Sequence, residues 1–157
     1  MYNLYLMDQN KLLDYHMEIG MLLSMAYRGL TRRFVKNTHE YGLDISLDQW
    51  IVLGPIWQIE KPTQKDLSKF CLKDKTSITR IVDTLELKGL VVRSIDKKDK
   101  RNRIVSLTSL GKKLFIDVVP IMEKTREEVR SDISNDEIKF FKQILIKINK
   151  NLNIENV

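Results

Sequence analysis

Cysteine, proline, glycine and histidine are all scarce in this chain. There is one cysteine, Cys71, among 157 residues. A single thiol excludes an internal disulfide framework and suits a reducing compartment, so a cytoplasmic location is expected. Three prolines and six glycines leave little material for linkers, which points to one continuous folded unit. With two histidines beside the one cysteine, a dedicated zinc site is not expected. His39 and Glu40 are adjacent and so do not share a helix face as a metal pair must. There is no Gly-rich phosphate loop and no nucleophile with a plausible base, so neither an enzyme nor a cofactor is expected. No apolar run approaches the roughly 18 residues of a membrane span. The opening "MYNLYLMDQN" lacks the basic stretch and apolar core of a signal peptide.

What is present is charge, unevenly placed. The composition, 43% hydrophobic and 31% charged, is that of an ordinary globular protein. From Lys61 to Lys113 there are 15 Lys and Arg against 6 Asp and Glu, a net of +9. The rest of the chain has 12 against 15, a net of −3. A basic lobe in a mildly acidic body points to a polyanion, nucleic acid first and an anionic membrane surface second. The alternative is a solvated lysine-rich surface. The densest stretch is "DKKDKRNR", residues 96–103, between the strand-like "LVVRSI" and "RIVSLT". A tight turn needs Gly, Asn or Asp for its backbone. It does not need Lys97, Lys98, Lys100, Arg101 and Arg103.

The apolar spacing places elements around this hairpin. Leu12, His16, Ile19, Leu23, Ala26, Leu30 and Phe34 recur at helical spacing from about Asn10 to Tyr41, with Gly42 as a stop. "SLDQW" restarts a helix through the S-x-x-Q capping box of Ser46 and Gln49, with Trp50, Leu53 and Trp57 as its expected buried stripe. Pro55 inside it predicts a kink near Leu53 and Gly54, or an early end. Thr63, with Asp66 three residues on, opens a short third helix. Asp74 caps a fourth, which Gly89 stops and which turns Ile78, Ile81, Val82 and Leu85 inward. Strands Val91–Ile95 and Ile104–Leu107 follow. A long helix from Ser109 carries Leu110, Leu114, Val118, Ile121, Thr125 and Val129 inward, with Pro120 bending it. Ser134 and Glu137 box the start of a last helix striped by Ile138, Phe141, Leu145, Ile148 and Leu152. The order predicts a mainly α fold with a small β wing: a winged helix-turn-helix lobe at 46–108, flanked by helical segments at 1–41 and 109–157. The flanking stripes have no sheet to cover them, and a second copy of the chain would do so.

The series "TQKDLSKF", "DKTSITRIVDTLELKGLVVR", an Asp-x-Arg in the wing (Asp99 and Arg101) and "SLTSLGKKL" resembles the MarR family of bacterial transcriptional regulators. The resemblance is close over about residues 46–114 and covers the flanks only in length and stripe pattern. It implies one MarR-like domain over 1–157 and a homodimer built from the terminal helices. It also implies binding to a pseudo-palindromic duplex operator, usually as a repressor released by a ligand or by oxidation. The family's wing Asp and Arg map onto Asp99 and Arg101; Lys100 stands where many relatives have Arg, which keeps the charge and loses a guanidinium fork.

On that reading the fourth helix enters the major groove. Lys75, Thr76, Ser77 and Thr79 meet phosphates or base edges, and Arg80 is the candidate for a bidentate guanine contact. Alternatively, Thr76 and Ser77 only cap the helix, and Arg80 pairs with Asp83 or Asp74. Gln64 and Lys65 hold phosphates. Lys97, Lys98, Arg101 and Arg103 present charge at the wing, the two arginines entering the narrow minor groove while Asp99 orients Arg101. Tyr27, Arg28 and Trp50 are candidates to line a cleft for a small aromatic or acidic effector. Cys71, on an apolar position beside Phe70 and Leu72, reads as a buried structural thiol before a redox sensor.

Overall fold

The computed structural model describes residues 18–59, 61–96 and 99–154. Along these residues run α1 (Ile19–Glu40), α2 (Leu47–Gln58), α3 (Gln64–Phe70), α4 (Lys75–Leu87), β1 (Val91–Ile95), β2 (Arg103–Leu107), α5 (Ser109–Arg130) and α6 (Asn135–Asn151). The fold is mainly α with a small β wing, as expected. Of the expected first helix, Leu12 and His16 lie outside the described residues.

The caps explain where the helices begin. Ser46 with Gln49, Thr63 with Asp66, and Ser134 with Glu137 each form a reciprocal capping box, which satisfies two otherwise orphaned amide donors apiece. Asp74 accepts from Ser77 N and Thr108 from Gly111 N. The helix ends are equally specific. Gly42 (φ +70°) and Gly89 (φ +68°) take the left-handed conformation that closes α1 and α4, with Leu43 N donating to Thr38 O and Leu90 N to Leu85 O. Leu72 does the same after α3 at φ +50°, a position where no glycine marks the stop.

Two strands pair antiparallel, from Val91 opposite Leu107 to Ile95 opposite Arg103. Val105 N donates to Pro62 O at 2.9 Å, and Thr63 bridges Ile104. The wing is therefore tied to the residues that open α3. Phe34, Leu53, Leu67, Ile78, Leu85 and Val105 are fully buried members of one core that joins α1 to the lobe.

Several expected features come out differently. Pro55 does not end α2 at that point; the helix runs on to Gln58. A proline here removes the donor for Ile51 O, and Cys71 Sγ donates to that carbonyl instead at 3.7 Å. Trp57 is exposed rather than buried. Phe115 of α5 stacks on Trp50 at 4.6 Å and on Trp57 at 4.7 Å. Seven residues span about 10.5 Å of helix, which leaves one ring's room between the two indoles. Leu110 and Val129, expected to point inward from α5, are exposed. In the interior of α5 it is Val118, Ile121 and Thr125 that are buried.

Two joints hold α5. At its start, a Cβ on Gly111 would lie 1.9 Å from Leu90 O, so only glycine permits this approach. Thr108 Oγ1 accepts from Gly111 N at 3.0 Å and donates to Gly89 O at 2.7 Å. Further along, the buried Asn37 of α1 donates through Nδ2 to Thr125 Oγ1 (2.9 Å) and Glu128 Oε2 (2.8 Å). No residue of α6 is buried, and Phe140, Phe141, Ile146 and Leu152 stand exposed.

Candidate nucleic-acid interface

The exposed face of α4 follows from its period. Thr76, Arg80, Asp83 and Leu87 are all exposed and recur at the spacing of one helix face, opposite the buried Ile78, Val82 and Leu85. Several polar groups near this face are already committed. Ser77 donates through N and Oγ to the two carboxylate oxygens of Asp74, at 2.9 and 2.6 Å. Thr79 Oγ1 donates to Lys75 O at 2.9 Å and accepts from Gln64 Nε2 at 3.3 Å, a bond that ties α3 to α4. The alternative pairing of Arg80 with Asp83 or Asp74 is absent among the described residues. Asp74 is occupied as the cap, and Asp83 is held by Arg93 from β1. Among the described residues, no side chain pairs with the Arg80 guanidinium.

The wing tip is built around Asp99. Its Oδ1 accepts from Arg101 N at 3.0 Å and from Arg101 Nε at 3.2 Å. The Arg101 backbone amide holds the Asp99 carboxyl below the usual carboxylate range, helped by the guanidinium and by the charge of Lys65. Arg101 itself is 92% exposed, so its direction is fixed while its charge stays in solvent. Asn102 closes the turn, its N donating to Asp99 O at 2.9 Å. Lys97 and Lys98 lie outside the described residues.

These parts meet. Gln64, Lys65, Lys75, Thr79, Arg101 and Arg103 line one groove of about 470 Å³, together with Thr63, Ser68 and Asn102. Residues from α3, α4 and the wing, separated by up to 39 positions from Gln64 to Arg103, thus share one cationic wall. Ser77 and Arg80 line a second groove of about 330 Å³ on the other flank of α4, with Ser46, Gln49, Lys73 and Thr84. Thr76 lines neither of these grooves and stands on the exposed face between them.

The three effector candidates have separate surroundings. Tyr27 Oη donates to Asp48 at 3.2 Å, and Arg28 donates to Ser24 within α1 at 3.0 Å. Trp50 is stacked on Phe115. Burial raises the Cys71 thiol above its ordinary range. No cluster of three His, Cys, Asp or Glu capable of holding a metal occurs among the described residues. No helix among them is long and apolar enough to cross a membrane.

Sequence reasoning missed Arg93 and Gly111. Arg93 alternates with the strand pattern like any polar residue, and its partners lie ten and seven positions back on another element. Gly111 in the first turn of a helix was a visible anomaly, since glycine weakens helices.

Residues 45–102 match the MarR family model. This segment is similar to the MarR family. Mutant MarR from E. coli complexed with operator DNA is 26% identical, with a TM-score of 0.77 over 83% of this chain and 92% of that one. MepR of S. aureus in its DNA complex is 23% identical, with a TM-score of 0.80 over 86% of this chain and 98% of that one. BpsR of Bordetella bronchiseptica, whose DNA binding is regulated by 6-hydroxynicotinic acid, is 21% identical, with a TM-score of 0.79 over 86% and 95%. These last two share the fold. The matched segment carries most of the cationic groove; Arg103, at the start of β2, lies just beyond it.

Proposed function

We propose that this protein is a homodimeric, sequence-specific DNA-binding repressor acting in the cytoplasm. The observation that carries the reading is the groove where Lys65, Lys75, Arg101 and Arg103 converge beside α4. Four cations on one concave wall suit a phosphate backbone, and the exposed Thr76 and Arg80 are placed to reach base edges. The operator-bound E. coli relative supports the same use of the lobe. Dimerisation is supported by the unburied stripe of α6 and by Ile19, Leu22 and Met25 exposed on α1. Apolar faces of this extent are covered in stable proteins, and a two-fold partner covers both at once. A single domain then spans 1–157, with 1–41 and 109–157 as its dimerisation segments. A small aromatic or acidic effector, or a stress signal, releases the DNA; the ligand-regulated BpsR supports this part.

The test is selection of bound sequences from a random duplex pool, followed by titration of the enriched duplex with salt. Enrichment of an inverted repeat, with affinity falling steeply as salt rises, is the expected result. No enrichment, or binding indifferent to salt, overturns the reading.

A further inference from the structure

Arg93 is the one basic residue of the wing strands that faces the body of α4 rather than the groove. Its guanidinium holds Asp83, and its Nε lies 3.7 Å from Glu86 Oε2. Its backbone N donates to Glu86 Oε1 at 3.1 Å. The Arg93 side chain is only 22% exposed, whereas Asp83 and Glu86 are 50% and 42% exposed. The arrangement spends a half-buried cation on two carboxylates that remain at the surface. Asp83 shares the exposed face of Thr76 and Arg80, and Glu86 follows it by three residues. Left alone, both carboxylates would stand on the helix face that the proposed function turns toward phosphates, and each would repel them.

We infer that Arg93 is a charge-masking residue: it neutralises Asp83 and Glu86 so that α4 presents a cationic face to duplex DNA. This rests on the DNA-binding reading above. Masking differs from a simple brace between wing and helix. A brace needs the ion pairs intact. A mask needs only that the carboxylate charge be absent, whichever way it is removed.

Asp83→Asn/Glu86→Gln separates the two, because the amides keep the acceptor oxygens and shed the charge. The measurement is fluorescence anisotropy of the full chain on a random-sequence 30-base-pair duplex across a salt series. Arg93→Ala should weaken binding about tenfold at low salt, as expected for two uncompensated charges near phosphates. Asp83→Asn/Glu86→Gln should bind at least as tightly as wild type, and adding it to Arg93→Ala should restore wild-type affinity within about twofold. Weakened binding by Asp83→Asn/Glu86→Gln, or a triple variant as weak as Arg93→Ala, would show a brace and overturn the mask. Wild-type affinity in Arg93→Ala overturns it as well. If wild type fails to bind the duplex at low salt, the DNA-binding reading itself falls and takes this role with it.

Discussion

Cys71 donates its thiol to the carbonyl oxygen of Ile51, the acceptor whose i+4 amide donor is missing because residue 55 is proline. The contact joins the end of α3 to the middle of α2 and gives the chain's single cysteine a structural task. Cys71→Ala should lower stability by about 1–2 kcal/mol, from a stranded carbonyl and lost packing. Thermal melting checks this, and an unchanged midpoint would remove the thiol from the account of α2. Because burial raises the thiol pKa, alkylation by iodoacetamide should stay slow at neutral pH and accelerate only above the ordinary thiol range.

Gly111→Ala should be among the most damaging single substitutions in the chain. Alanine is the better helix former by about 1 kcal/mol. Its methyl, however, would sit 1.9 Å from Leu90 O and 2.9 Å from Leu90 C, backbone atoms with little freedom to withdraw. A net loss of about 3 kcal/mol is expected, read as a fall in melting temperature of roughly 10 °C for a domain of this size. A variant that melts like wild type would mean that α5 can lift off the wing without penalty.

Acid should weaken the helix starts together. Asp66 is held below the carboxylate range by the Thr63 hydroxyl and amide, Asp74 by Ser77, and Glu137 by Ser134. Lys88 does the same for Asp44 at the turn before α2. Folded pKa values below the unfolded ones mean that this stabilisation is complete above about pH 5 and fades as pH drops through the lowered values. Melting temperature should be level from neutral pH to about 5 and decline below about 4. Asp66→Asn should flatten part of that decline, and an identical slope would exclude Asp66 as a contributor.

Arg101→Ala should reduce affinity for the selected duplex about tenfold and lower the magnitude of the salt slope by about 1. The fold should be untouched, because Arg101 is exposed and its bonds among the described residues stay within its own turn. Wild-type affinity in this variant would take the wing out of the interface.

Truncation after Ser134 removes α6, which contributes no buried residue to the single chain. The remaining lobe should keep its helical circular dichroism and sediment as a monomer. A truncated chain that still sediments as a dimer would place the dimer contact elsewhere.

The local structure was legible because its signals are local. Ser46, Thr63, Asp74 and Ser134 announce helix starts within four residues, and Gly42 and Gly89 announce ends. The wing register follows from two short apolar runs. What escaped depends on distant parts of the chain. Pro55 reads as a breaker until Cys71 is seen beside Ile51. Trp57 reads as core until its stacking ring proves to come from α5. Leu72 closes α3 in a conformation for which its residue type carries no signal. Of the groove, the residue types were legible, but their convergence on one wall depends on Pro62 and Thr63 pairing with β2.

The buried Asn37 carboxamide between α1 and α5 acts as a pin. Sliding one helix along the other by a single turn, about 5.4 Å, would strand this amide in a dry seam with no oxygen to meet it. The two helices can pivot about that point far more cheaply than they can translate past it. Any movement of α1 against α5 is therefore a swing, with the least travel at Asn37.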